Sequence, residues 1–348
     1  MKKTFLITLA MLLVFTGTAF AAQGLTGGDQ TIRGNKTFEH NAVFNKNLTV
    51  LGALLGVSQY SSVFYVDSGS GADSPGNYGT TYLKPFATID FAVSQCTADS
   101  GDIIFVMPGH NEGIIADSAI DLDVAGISVI GLGNGENRPT IDFDHADATF
   151  VVGADDILIE NMIFRVSANA VTVGVEVEDG VDSVTVRGCK FGAAETATDE
   201  FAISLQLNDA SNRALIENNH FDGGEQAAAT AIGLTKDTDL TIIRNNWFTG
   251  TFTTAPVTGA TTASTNLLIT DNHFWTVGTA DTFNLVAAST GIVSRNVIVM
   301  NAASAAAALD IGNCVGFDNW LIADDDVTGA AAAIIDSAFA SVTATADD

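Results

Sequence analysis

The sequence predicts an all-β fold: a parallel β-helix, a solenoid of about eight stacked turns. The main observation is a six-residue motif, in which an aliphatic residue, two variable positions, Asn, another variable position and Phe follow one another. The motif is visible in "ALIENNHF", "TIIRNNWF" and "NLLITDNHF". Its copies are Ile159–Phe164, Val186–Phe191, Ile216–Phe221, Ile243–Phe248, Ile269–Phe274 and Val293–Ile298, with a weaker match at Gly316–Leu321. The composition agrees, since 47% of the residues are hydrophobic and only 16% are charged, which favours a large core.

The spacing of the motif predicts the architecture. The last positions of successive copies are 27, 30, 27, 26, 24 and 23 residues apart, and periods of 20–50 residues indicate stacked units. One unit of this length has room for three short strands and the three corners that connect them. Parallel strands of adjacent turns lie about 4.8 Å apart, so equivalent residues are expected to lie directly above one another.

Two motif positions are expected to build the interior. The fourth position holds Asn219, Asn246, Asn272, Asn296 and Asn319. Asn tolerates the left-handed conformation of a tight turn, and stacked amides can bond to one another and to the backbone. We therefore predict a structural ladder of Asn side chains, with catalytic amides as the alternative. The sixth position predicts an internal aromatic stack of Phe164, Phe191, Phe221, Phe248 and Phe274.

Residues 1–21 have the pattern of a secretory signal peptide. Lys2 and Lys3 precede a short apolar core, and Ala19-Phe20-Ala21 is a small-x-small cleavage site, so we predict cleavage after Ala21. The expected location is secreted, periplasmic or cell-surface, with a virion surface as the alternative. No later stretch is apolar enough to span a membrane, so no membrane association is expected after cleavage.

Residues 22–57 form a segment of a different kind. Ile32, Phe38, Phe44 and Val50 recur every six residues, with Thr, Asn and Gly between them. One thin apolar stripe cannot form a core by itself. The segment resembles the "GNKTF…VFN…LTV.G" segments of phage tail-fibre and tail-spike proteins. The resemblance implies self-association, with a homotrimer as the expected assembly.

Residues 58–126 are predicted to cap and open the solenoid. In "KPFATIDFAVSQCTADSGDIIFVMPG", a helix beginning near Thr88 places Ile89, Ala92, Val93 and Cys96 on one face, and the strand Ile103–Met107 follows. The stretch resembles the entrance to right-handed parallel β-helix domains of the pectate-lyase-like superfamily. The resemblance implies a short N-terminal capping helix and a single right-handed β-helix, which we place over residues 127–330. Residues 331–348 are Ala-rich and have no motif, and they are predicted to form a C-terminal cap or tail.

The charge balance narrows the range of partners. The chain has 14 basic and 41 acidic residues, a net charge of −27, which excludes nucleic acid and anionic membranes as favoured partners. Polysaccharides and cell-surface glycans remain as candidate partners. No cofactor is required, and calcium is the candidate ion. Asp67 and Asp73, in "DSGSGAD", could supply carboxylates to calcium, although an ordinary surface loop explains them as well.

The three cysteines are predicted to be buried thiols without a disulfide. Cys189 takes the Asn position of the second motif copy, and Cys314 lies about five turns later, on the order of 24 Å away. Bridged Cα atoms must lie within about 7 Å. Cys96 lies on the capping helix, before the turns.

If the chain is an enzyme, the β-helix resemblance implies a polysaccharide lyase or a glycoside hydrolase acting on acidic polysaccharide. The candidate catalytic groups are Asp142, Asp144 and His145 in "IDFDH", which also fit a strand edge or turn. Arg187 and Arg244 share a motif position with Glu217 between them. They could act as lyase bases or form an outward charge ladder.

The fifth motif position indicates a binding surface. It holds His220, Trp247 and His273 in successive copies, a column that could stack on sugar rings or lie as ordinary solvent-facing residues. Basic residues are few and the repeat is structural. The sequence therefore favours an exported or virion-associated β-helix that acts as a structural or glycan-binding protein, and only secondly an enzyme.

Overall fold

A computed structural model describes residues 61–323 except for 75–76, 169, 193–198, 225–227, 260–261, 278–280, 287 and 302–308. The predicted signal peptide at 1–21, the fibre-like segment at 22–57 and the tail at 331–348 lie outside the described residues. In the described part of the chain, no helix is both long enough and apolar enough to cross a membrane.

The described strands form three parallel sheets, which we name A, B and C. Sheet A has ten strands: Val63–Val66, Ile103–Val106, Ser128–Gly131, Leu158–Glu160, Thr185–Arg187, Leu215–Glu217, Ile242–Arg244, Leu267–Thr270, Gly291–Ser294 and Val315–Phe317. Sheet B has nine: Asn111–Ile114, Thr140–Phe143, Ile163–Val166, Lys190–Gly192, His220–Asp222, Trp247–Thr251, His273–Val277, Val297–Asn301 and Trp320–Ala323. Sheet C has eight: Ile120–Asp121, Phe150–Val152, Val171–Val177, Phe201–Leu207, Thr230–Leu234, Val257–Gly259, Phe283–Leu285 and Leu309–Asp310.

Each turn of the solenoid passes through sheets A, B and C in that order. Strands pair only with their equivalents one turn before and one turn after. The predicted all-β parallel β-helix is therefore confirmed, and the arrangement is consistent with the right-handed form. Where about eight turns were predicted, the described chain completes about seven from Ser128 onward and then adds the strands Val315–Phe317 and Trp320–Ala323.

The helix Ile89–Val93 lies at the N-terminal end of the solenoid. It begins after Thr88, whose side-chain oxygen accepts a hydrogen bond from the Phe91 backbone nitrogen. Its buried side chains join the core. The carboxylate of Asp90 accepts a hydrogen bond of 3.3 Å from the backbone nitrogen of Asp121, on the first strand of sheet C. The helix thus covers core and backbone groups that a preceding turn would otherwise cover.

Aligned strands stack the phenylalanines of sheet B inside the solenoid. The rings of Phe164, Phe191, Phe221, Phe248 and Phe274 are buried. Consecutive ring centroids are 4.8, 4.7, 5.2 and 4.4 Å apart, and neighbouring ring planes differ by 16° or less. This spacing follows from the strand separation of about 4.8 Å, which brings equivalent rings into contact.

The five Asn side chains form a continuous ladder at the corner between sheets A and B. The Nδ2 atom of Asn219 donates to Oδ1 of Asn246 over 3.1 Å and to the carbonyl oxygen of Val186 over 2.9 Å. The same pattern continues through Asn272, Asn296 and Asn319. The buried amides are therefore paired, as polar groups in an apolar interior must be.

The left-handed residue of this corner is not the ladder Asn but the residue before it. Positive φ values of 54° to 64° occur at Asn161, Gly188, Asn218, Asn245, Asp271, Arg295 and Asp318. A two-residue corner needs one left-handed residue to bend the chain from sheet A into sheet B. Short polar residues and Gly adopt this conformation most easily. The Asn type at the ladder position is explained by its hydrogen bonds alone.

The cysteines are free thiols. Cys189 and Cys314 are buried, but Cys96 is only half-buried, so the prediction of three buried thiols is wrong for Cys96. Burial raises the pKa of Cys189 to about 12 and of Cys314 to about 11. Burial, with a smaller effect of Asp102, raises the pKa of Cys96 to about 12.

Candidate functional site

All three tryptophans of the chain lie on the outer face of sheet B. Trp247, Trp275 and Trp320 are 51%, 59% and 70% exposed, and the chain has three tryptophans. Alternation along the strands explains the orientation, because Phe248 and Phe274 point inward and their neighbours point outward. Exposed large apolar side chains that gather on one face often mark an interaction site.

The predicted column of His220, Trp247 and His273 is present on this face. His220 pairs in register with Trp247, and Trp247 with His273. The Trp247 and His273 rings stack with centroids 5.7 Å apart. Trp320 continues the column two strands beyond His273, in register with Val297, and Trp275 lies beside it in register with Thr249.

An open cleft of about 630 Å³ lies at the N-terminal end of the tryptophan row. It is lined by Trp247 and Thr249, by His220, and by the basic side chains of Arg138 and Lys190. Corner residues of the Asn ladder complete its wall: Gly188, Cys189, Asn218, Asn219 and Asn245. The cleft therefore combines aromatic, basic and amide groups.

His220 is held within this cleft by Thr249. The Nε2 atom of His220 lies 2.8 Å from the Thr249 hydroxyl oxygen. Burial lowers the pKa of His220 below 6.5, and the positive charges of Lys190 and Arg138 lower it further, against the opposing effect of Asp222. This shift favours the neutral imidazole, which can exchange hydrogen bonds with hydroxyl groups.

The candidate catalytic cluster does not face this cleft as a unit. Asp142 is buried on sheet B, where its carboxylate is paired with Arg165 and accepts a hydrogen bond from Ser167. Asp144 and His145 follow the strand and are exposed. The Nδ1 atom of His145 lies 3.6 Å from a carboxylate oxygen of Asp147.

Arg187 and Arg244 belong to a charge ladder on sheet A. Arg187 pairs with Glu160 at 2.8 Å, and Arg244 with Glu217 at 2.7 Å. Strand pairing brings the four residues into one column. Both guanidinium groups are thus matched by carboxylates and lie on a different sheet from the tryptophans.

Asp67 and Asp73 are engaged in local turns. Asp67 accepts hydrogen bonds from the Gly69 backbone nitrogen and the Ser70 hydroxyl. Asp73 accepts from the Ala87 backbone nitrogen and the Thr88 hydroxyl. Among the described residues, no group of three or more His, Cys, Asp or Glu side chains is arranged to hold a metal ion.

Sequence reasoning missed four residues of this surface: Trp275, Trp320, Arg138 and Lys190. Trp320 could have been found, because it takes the fifth position of the weak motif copy Gly316–Leu321. Trp275 lies one position beyond its motif copy. Arg138 lies far from the others along the chain, so no local pattern connects it with them.

No protein-family model and no curated protein matches the chain. Two crystal structures of a GH136 lacto-N-biosidase from Eubacterium ramulus are similar to it at a low level. The selenomethionine derivative has 12% sequence identity and a TM-score of 0.31, and the match covers 75% of this chain and 67% of the other. The native protein has 11% sequence identity and a TM-score of 0.26, and the match covers 75% of this chain and 68% of the other. Similarity this low indicates neither a shared ligand nor a shared activity. The resemblances to the pectate-lyase-like superfamily and to phage tail-fibre proteins find no support in these matches.

Proposed function

We propose that this chain is a glycan-binding β-helix whose ligand lies along the outer face of sheet B. The observation that carries the proposal is the exposure of Trp247, Trp275 and Trp320 on one face of one sheet. The apolar face of a sugar ring packs well on the flat surface of an indole, and exposed apolar patches mark interaction sites.

Polar groups beside the indoles suit the hydroxyl groups of a sugar. His220, Thr249 and His273 lie in the same two columns as Trp247 and Trp275. Mostly apolar surfaces with a few well-placed polar groups are typical of ligand sites, because the apolar part supplies affinity and the polar part orientation.

Asp142 and Asp222 are too far apart on this face to act together as a glycosidase pair. Asp142 and Asp222 share one outward column of sheet B but lie three strands apart, with Arg165 and Gly192 between them. At about 4.8 Å per strand this is roughly 14 Å. Glycosidases that use two carboxylates hold them about 5–9.5 Å apart.

Export and self-association belong to the same proposal. A glycan-binding surface serves a protein outside the cytoplasm, as the signal peptide at residues 1–21 suggests. A homotrimer formed through residues 22–57 would present several tryptophan rows together, and linked sites bind polymers more tightly than single sites.

Tryptophan fluorescence tests the proposal directly, because every indole of the chain lies on the proposed surface. We expect a bound polysaccharide to shift the emission and to protect the indoles from acrylamide quenching. Trp247→Ala and Trp275→Ala should each weaken binding by about tenfold or more. Tyr82→Ala, which removes an aromatic side chain exposed in the loop before the helix, is the control and should bind normally.

Two results would contradict the proposal. One is the absence of protection across a panel of neutral and acidic polysaccharides. The other is an equal loss of binding in Tyr82→Ala. The same polymers, incubated with and without calcium and assayed for new reducing ends, test the alternative of a lyase or hydrolase.

A further inference from the structure

Building on the proposed function, we propose that the cleft beside Trp247 binds a carboxylate of the glycan through Arg138 and Lys190, so that the ligand is an acidic polysaccharide. An anionic ligand is unexpected for a chain with a net charge of −27. The local arrangement of basic groups, rather than the overall charge, carries this inference.

Arg138 is held in place by backbone carbonyl groups and has no carboxylate partner among the described residues. Its Nε atom donates to the carbonyl oxygen of Gly135 over 3.0 Å, and Nη1 donates to that of Gly188 over 2.9 Å. A guanidinium group has five N–H donors, so about three remain for a ligand. Within the described part of the chain Arg138 forms no ion pair, whereas five other arginines are each paired with an acid: Arg165, Arg187, Arg213, Arg244 and Arg295.

A long corner brings Arg138 to the cleft. Later corners between sheets A and B have two residues, but the strands ending at Gly131 and beginning at Thr140 are joined by residues 132–139. The Nδ2 atom of Asn161 bonds to the carbonyl oxygens of Gly131 and Gly133 and fixes the start of this loop. The loop therefore lies along the corner, and Arg138 reaches Gly188, two turns further on.

Lys190 supplies a second positive charge. It lines the same cleft and pairs with Glu136 of the long corner at 3.4 Å. The Glu136 side chain is 82% exposed, and an ion pair of this kind contributes little. A ligand carboxylate can replace Glu136 as the partner of Lys190 at a low cost in free energy.

The two basic groups and Trp247 line one cleft, so one ligand can contact all three. A planar guanidinium binds a planar carboxylate through two parallel hydrogen bonds, and these charge-assisted bonds are among the stronger ones in proteins. The indole face packs against the sugar ring that bears or neighbours the acid. This combination selects an acidic sugar over a neutral one.

The test compares a uronic acid polymer with its carboxyl-reduced derivative, which keeps the sugar backbone and loses the charge. Tryptophan fluorescence is the readout for both. We expect the acidic polymer to bind about tenfold tighter and to lose this advantage as salt is raised. Equal affinity for the two polymers would overturn the inference and leave the proposed function standing. If neither binds and no other glycan protects the indoles, the proposed function itself fails.

Three variants locate the effect. Lys190→Gln and Arg138→Gln should weaken binding of the acidic polymer by about tenfold and leave the carboxyl-reduced polymer unaffected. Glu136→Gln removes the competing carboxylate and should strengthen acidic binding by about two- to fivefold. Arg213→Gln, which breaks the exposed pair with Asp182, is the matched control and should change neither.

If Arg138 only supports the fold and does not contact the ligand, a different result is expected. Arg138→Gln would then lower the melting temperature and weaken both polymers alike, while Lys190→Gln and Glu136→Gln would have no effect, and this outcome overturns the inference. A sulfated polymer completes the comparison. If it binds as tightly as the uronic acid polymer, the cleft accepts anions in general and the assignment to a carboxylate is wrong.

Discussion

The side-chain nitrogen of Asn246 donates a hydrogen bond of 3.1 Å to the side-chain oxygen of Asn272, its equivalent on the next turn. Asn246 also donates to the carbonyl oxygen of Ile216 and accepts from Asn219. Four hydrogen bonds therefore depend on one buried amide. The ladder joins consecutive turns from Asn219 to Asn319 in the interior, where water does not compete for these hydrogen bonds.

Replacing Asn246 should destabilise the solenoid strongly. Asn246→Ala removes the Oδ1 acceptor of two Asn219 donors, the backbone nitrogen and Nδ2, and each unsatisfied buried group costs about 1–3 kcal/mol. We expect a loss of about 2–5 kcal/mol in the free energy of unfolding, measured by urea denaturation. Asn245→Gly, at the adjacent left-handed position, is the control and should cost less than 1 kcal/mol. Similar losses in both variants would show that the ladder contributes little.

The column of Asn and the stack of Phe follow from the sequence, because equivalent positions of stacked turns must meet. The placement of Arg138 does not follow from it. That placement depends on a corner of eight residues at 132–139, and no periodic pattern gives the path of such a loop. The sequence also did not identify the left-handed residue of the corner. Asn occurs at both corner positions in 218–219 and 245–246, and either Asn could adopt the left-handed conformation.

Asp121 should limit stability at neutral pH. Its Oδ1 atom is buried and accepts no hydrogen bond from the described residues. Burial raises the pKa of Asp121, and the negative charges of Asp123, Glu178 and Asp90 raise it further. Since the folded state holds this proton more tightly than the unfolded state, ionisation costs stability as the pH rises through the folded-state pKa.

Asp121→Asn removes that cost. We expect the variant to be more stable than the wild type at pH 7, with the difference shrinking as the pH is lowered and Asp121 becomes protonated. Thermal melts from pH 4 to 8 measure it. Asp123→Asn, at an exposed neighbour, should give a smaller gain. A variant less stable than the wild type at pH 7 would mean that the carboxylate has a favourable partner.

Leu240 offers a stabilising substitution on the surface. It has a φ of 56° and is 50% exposed, a conformation that costs a branched side chain about 1–2 kcal/mol. Leu240→Gly should therefore raise the free energy of unfolding by about 0.5–1 kcal/mol after the greater entropy of unfolded Gly is counted. Leu240→Ala keeps the strain and should not stabilise. The idea fails if Ala stabilises as much as Gly.

The thiols should be nearly inert in the folded protein. Cys189 is buried with a pKa raised to about 12, and the half-buried Cys96 also has a pKa raised to about 12, so thiolate is scarce at pH 8. A thiol reagent should modify Cys96 slowly, and Cys189 and Cys314 only after denaturation. The denatured total should be the same with or without prior reduction. Additional thiol released by a reductant would reveal a disulfide.

Because each strand pairs only with its counterparts in adjacent turns, the solenoid can grow or shrink by whole units. Duplicating one unit, such as residues 242–267, would keep the strand register, because Ile242 pairs with Leu268 on the next turn and stability in such arrays is a sum over neighbours. The reach of the aromatic row would then change in fixed increments of about 4.8 Å. Under the proposed function, each added turn would lengthen the bound segment of polymer by one strand spacing, and the separation of Trp247 from Trp320 would set the length of that segment.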